Sequence, residues 1–174
     1  KGGITNIKLV KKTKAFLLVW LLSTFAFVVI QISYLLQQPL ASSFDLTVIR
    51  SYLTQTAIGK SYVVQIIGII ILLSIALRRV ITTYLCLLIG LIAIVAPVFQ
   101  SHGSSSGRHG LAIGALVIHV IALSFWVGGL FGLTQLNKEQ KLIALPRFSE
   151  LALWSAITVM ITGAATAWTR LDSI

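Results

Sequence analysis

Leu111-Ala-Ile-Gly-Ala-Leu-Val-Ile-His119-Val-Ile-Ala-Leu-Ser-Phe-Trp126-Val-Gly-Gly129-Leu-Phe-Gly-Leu133 is a run without an acid, a lysine or an arginine. As a helix it is long enough to cross a hydrocarbon core of about 30 Å. His119 falls eight residues into the run, roughly 12 Å deep at about 1.5 Å per residue, which places it near the middle of a bilayer. An ionisable group at that depth is costly, and by default it marks a functional site turned toward the protein interior. Trp126, seven residues later, shares the face of His119, so that face is expected to meet an aromatic interior.

The rest of the chain agrees with this reading. Of its 174 residues 57% are hydrophobic and 10% charged, against about 25% charged in a soluble domain, and the mean hydropathy is +0.96. A soluble fold of this length has no interior large enough for so much apolar surface. The expected class is an all-α integral membrane protein, a bundle of about five transmembrane helices that is part of a larger bundle. Spans are expected at about 15–36, 61–77, 80–99, 111–136 and 151–168. No alternation of period two supports a barrel. Between the first two spans Phe44, Val48, Ile49, Tyr52 and Leu53 recur at helical spacing, which predicts an outer interfacial helix at about 43–58. Ser42-x-x-Asp45 resembles its capping box. Asn137 to Pro146 reads as a short charged inner loop. Small residues at Gly110-x-x-x-Gly114, Gly128-x-x-x-Gly132 and Thr162-Gly-Ala-Ala-Thr166 are expected to pack the last two spans together.

The formal charge of +10 does not indicate nucleic acid, because the basic residues cluster at span boundaries. With the N-terminus cytoplasmic, ten of the fourteen Lys and Arg fall on the inner side (Lys1, Lys8, Lys11, Lys12, Lys14, Arg78, Arg79, Lys138, Lys141, Arg147), as the positive-inside rule requires. The partners implied are a lipid bilayer and no nucleic acid. The single cysteine, Cys86, excludes an intrachain disulfide and any multi-cysteine metal site. A chain that opens on Lys1 and stops just after a span reads as a fragment of a longer polypeptide.

Four residues are candidates for metal chemistry. His102 and His109 bracket the outer mouth between the third and fourth spans, and imidazole suits copper, zinc, iron and nickel. Solvated loop histidines are the plain alternative. His119 is either a ligand or a neutral imidazole hydrogen-bonded to a neighbouring helix. Met160, the only methionine, lies near the midplane of the last span; its thioether suits Cu(I), and core filling is the ordinary use of such a residue. Hydrolytic motifs are absent, and the acids Asp45, Glu139, Glu150 and Asp172 all lie away from the midplane, so the chain is not read as an enzyme.

Together, Thr56-x-x-Gly59-Lys60, Ser101-His102, His119, Phe125-Trp126-Val127-Gly128-Gly129-Leu130, Arg147-Phe148-Ser149-x-x-Ala152 and Ala167-Trp168-Thr169-Arg170-Leu171 resemble the bacterial copper resistance D family. The resemblance covers about residues 50–171 and, loosely, the first span. It implies a multi-pass bacterial inner-membrane protein that moves or handles copper beside a periplasmic copper-binding partner. Larger relatives are fused to a cytochrome oxidase assembly domain. It carries over His102 and His119 as copper-site residues, but not His109 or Met160. The serine-rich loop after His102 departs from the family's alanine-rich version.

The expectation is therefore a copper-handling membrane protein. Copper is met at the outer face by His102, with His109, and passes to His119, with Met160, between spans three to five. Two alternatives stay open: a structural or cytochrome oxidase assembly module without its own metal, and a haem-binding electron carrier.

Overall fold

Every regular element in the computed structural model is helical, over the described residues 2–78, 83–100 and 109–171. These are α1 (Gly2–Leu36), a 3-10 turn (Leu40–Phe44), α2 (Leu46–Gln55), α3 (Ala57–Arg78), α4 (Thr83–Gln100), α5 (His109–Thr134) and α6 (Lys138–Leu171). Among the described residues four stretches are long and apolar enough to span a membrane: Val10–Leu36, Ala57–Ala76, Gly110–Thr134 and Lys138–Trp168. A fifth, Tyr84–Phe99, is shorter; the expected third span begins at residue 80, outside the described residues. The chain is an all-helical protein with four to five long apolar helices, and it falls into two compact units, Lys1–Ser101 and His102–Ile174.

In the first unit one stripe of α1 makes the core. Leu17, Thr24, Val28 and Ile32 follow one another at steps of seven, four and four residues and are all buried, the spacing that puts residues on one helix face. Near its start the stripe packs Leu17 against Ile69 and Ala76 of α3. Farther along, Val28 and Ile32 meet Ile49 and Tyr52 of α2, with Tyr62 of α3 at the edge. Thus α3 runs back along α1. The helix itself opens at Gly2, well before the expected Ala15. Lysine is a good helix former and its alkyl stem carries the charge toward water, so the basic stretch continues the helix instead of flanking it. The end of α1 is a Schellman turn: Gln38 N–H donates to the Ser33 carbonyl at 3.2 Å, and Gln37 sits at φ 52°.

The interfacial helix expected at 43–58 is shorter and sharply bounded. Asp45 itself is the N-cap of α2, its carboxylate accepting from Thr47 N–H at 2.8 Å. The Ser42-x-x-Asp45 box is not the cap, because residues 40–44 form the 3-10 turn. Thr56 then closes one helix and opens the next. Its hydroxyl donates to the Tyr52 carbonyl at 2.7 Å and accepts from Gly59 N–H at 2.8 Å, so α3 begins at Ala57. A Cβ on Gly59 would run into the Tyr52 carbonyl oxygen, which is why this corner needs glycine. On α4, Ala93 is fully buried; a Cβ on Gly68 would approach its Cβ to 2.9 Å, so α3 and α4 meet closely there.

The second unit is the α5–α6 hairpin. The segment read as a charged loop, Asn137 to Pro146, is helical from Lys138, and Pro146 lies inside α6. A capping box starts it: Gln140 N–H donates to Asn137 Oδ1 at 2.8 Å, and Asn137 N–H donates to Gln140 Oε1 at 3.2 Å. Two terminal donors are satisfied reciprocally, so the helix can start despite its charge.

Candidate functional site

The site is built on the α5–α6 pair. The short connection between Thr134 and Lys138 makes the helices antiparallel neighbours. At the turn end the helices meet through Gly129: a Cβ there would lie 2.8 Å from Phe148 Cε2 and 3.0 Å from Phe148 Cδ2. The Trp-Val-Gly-Gly and Arg-Phe-Ser elements singled out separately in the sequence are therefore one contact, a glycine seat under a phenyl ring. Of the expected small-residue stretches, the two glycine pairs of α5 do not make it, while Thr162 and Gly163 of the third meet α5 at His119. Gly110, Gly114, Gly128 and Gly132 all face space with no neighbour within 4 Å. Spacing shows that two glycines share a face; it does not say which face meets the next helix.

Farther along the hairpin, His119 meets α6. Its Nδ1 lies 3.0 Å from Thr162 Oγ1, and a Cβ on Gly163 would be 3.7 Å from its Cε1 and 3.9 Å from its Nδ1. The imidazole therefore faces Gly163 of α6 with room for a methyl group between them. The α6 hydroxyls form a ladder. Thr158 donates to the Trp154 carbonyl at 2.8 Å, Thr162 to the Thr158 carbonyl at 2.6 Å and Thr166 to the Thr162 carbonyl at 2.8 Å. Back-bonding of this kind satisfies a hydroxyl inside an apolar span. Thr162 is buried and His119 half-buried. Leu116, His119, Gly163, Thr166 and Ala167 line a groove of about 370 Å³. It extends from His119 toward the N-terminal end of α5, because Leu116 lies one turn before His119, and Thr166 and Ala167 one turn beyond Thr162.

The other candidates are placed differently. His102 lies outside the described residues. His109 is the first residue of α5, and its side chain lies outside the described residues. Met160 precedes Thr162 by two positions, about 200° around a helix of 3.6 residues per turn, and it is 73% exposed. It therefore sits on the opposite face of α6 from His119. Trp126 is 38% exposed, so the hairpin by itself provides no aromatic interior around His119's face. Among the described residues no three of His, Cys, Asp and Glu gather. Sequence reasoning missed Thr162 as a partner of His119, because only the register between the two helices brings them together.

The family model for copper resistance protein D-like, N-terminal domain, matches residues 8–111. The chain belongs to this family. No curated protein matches the chain, and no solved structure does. Membership makes the chain a copper-resistance, copper-handling membrane protein of several spans. The copper resistance D-like match runs from within α1 through α4 and ends three residues into α5, so it takes in the first span, which the resemblance covers only loosely. His119, Thr162 and the groove lie beyond it, in the second unit.

Proposed function

We propose that this copper resistance D-like chain passes copper through the membrane as cargo, with His119 as its midplane nitrogen donor. The observation that carries the reading is the imidazole held against α6 by Thr162, beside a groove, in a helix with no other ionisable side chain after its first residue. A purely structural histidine has no need of a groove at its ring. In this reading the N-terminus is cytoplasmic, as the ten inner Lys and Arg indicate. The membrane is a bacterial inner membrane, and His102 and His109 receive copper at the outer face from a periplasmic copper-binding protein. Met160 would serve from the opposite face of α6, toward a neighbour other than α5.

The test is copper per chain in the purified full-length protein, loaded with Cu(I) against a competing chelator. His119→Ala is expected to lose most of the bound copper while keeping its elution volume and helical content. Undiminished copper in that variant sinks the proposal. The rival is a docking module for oxidase assembly without its own metal, favoured by the lack of a three-ligand cluster among the described residues. It predicts no bound copper in either protein.

A further inference from the structure

We infer that Thr162 is a positioning residue that holds His119 as its Nδ1–H tautomer, so that the Nε2 lone pair is the one offered to an ion. The inference rests on the copper reading above for its ligand, but its structural part stands on oxygen and nitrogen distances alone. Thr162 Oγ1 lies 2.6 Å from the Thr158 carbonyl and 3.3 Å from the Val159 carbonyl. Two oxygens at 2.6 Å need a hydrogen between them, and the threonine hydroxyl has only one. That hydrogen points to the Thr158 carbonyl, leaving Oγ1 an acceptor toward His119. The proton of the 3.0 Å contact therefore belongs to Nδ1, and the neutral ring carries its lone pair on Nε2.

This tautomer is not the one free imidazole side chains prefer in water, which is Nε2–H. Thr162, as the acceptor, reverses that preference. An Nδ1–H without an acceptor in hydrocarbon is costly, so the bond locks the ring angle as well as the proton. Among the described residues His119 makes this one side-chain hydrogen bond, and its ring lines the groove with Gly163 and Ala167. Gly163 faces the ring with room for a methyl group between them. A metal-binding histidine characteristically donates its second nitrogen to a fixed acceptor, which sets the tautomer and aims the lone pair. Here a threonine hydroxyl, itself anchored to the helix backbone, serves as that acceptor. Because it is neutral, it aims the ring without adding a negative charge to the groove.

The test uses the full-length chain, labelled with 15N-histidine in lipid nanodiscs. The His119 signals are identified by their loss in His119→Ala. Without metal, wild type is expected to show a protonated Nδ1 and an unprotonated Nε2. Thr162→Ser should keep that pattern, and Thr162→Val, which preserves shape and removes the acceptor, should shift it toward Nε2–H. A wild-type spectrum dominated by Nε2–H overturns the inference, whatever the variants do. Cu(I) affinity against a chelator is the second readout. Thr162→Val should bind roughly 10- to 100-fold more weakly, the usual cost of losing such a partner, and Thr162→Ser close to wild type. If His119→Ala weakens copper binding but Thr162→Val does not, the positioning role is wrong and the copper site stands. If His119→Ala leaves copper binding unchanged, the copper reading fails, and the tautomer is judged by the spectrum alone. Should Thr162→Val fail to fold, the wild-type and Thr162→Ser spectra still decide.

Discussion

The two units bury different kinds of residue. In the first, α1 to α4 enclose Val28, Val29, Ile32, Ile69 and Ala93, and 28% of each of its two long spans is buried. In the second, the corresponding fractions are 6% and 11%, and the residues buried among those described are Ala122, Ser155 and Thr162. The first unit is held together by apolar packing resembling a soluble core, whereas the hairpin joins through a glycine seat and a histidine–threonine bond. Lipid removes most of the hydrophobic drive between helices, so small and polar contacts carry more of the association. The family match stops just inside the start of α5. The unit that identifies the chain is therefore not the unit that carries the half-buried His119.

This contrast can be broken by substitution. The largest effect is expected from Gly59→Ala, where the new methyl meets the Tyr52 carbonyl and the α2–α3 corner must move. A loss of up to about 3 kcal/mol is expected, the upper end for overpacking. It should appear in a reversible detergent-denaturant titration, while the His119 nitrogen signals stay in place. If those signals also vanish, the units do not behave independently. Next comes Gly129→Ala, which crowds Phe148 and should cost about 1–2 kcal/mol in the same titration. Asn137→Ala removes one half of the α6 capping box; a loss of about 1 kcal/mol is expected, read as faster amide exchange in the first turn of α6. The smallest effect has the opposite sign. Gly128→Ala fills open space and should be neutral or stabilising by up to about 1 kcal/mol through helix propensity. Destabilisation by Gly128→Ala equal to that of Gly129→Ala would mean that a different face of α5 is packed.

The helical class and the approximate positions of the spans were legible because hydropathy needs no tertiary information. Helix starts were harder. Lys8 to Lys14 and Lys138 to Arg147 are charged, and charge was read as the end of helix, yet lysine, glutamate and glutamine are good helix formers. Asn137 and Gln140 have the spacing of a capping box, a signal that the charged-loop reading does not use. His119 stood out by depth alone. Thr162 did not, because a threonine in a membrane helix normally bonds its own carbonyls, and nothing local shows that it also faces a ring 43 positions away. Gly128 and Gly129 differ by about 100° on the helix, and only the neighbour decides which one matters.

The two arms of the hairpin differ in length. With 34 residues, α6 is about 51 Å long, and α5, with 26, about 39 Å; the hydrocarbon layer is about 30 Å thick. The opening turns of α6, with Leu142, Ile143 and Leu145 exposed among Lys138, Lys141 and Arg147, have the composition expected of a segment at a membrane surface. Their depth answers to bilayer thickness: a thicker membrane draws the leucines inward and the lysines into the headgroups, and a thinner one tilts the whole arm. Because Thr162 lies on that same helix, a change in the tilt of the arm is expected to be felt at its bond to His119.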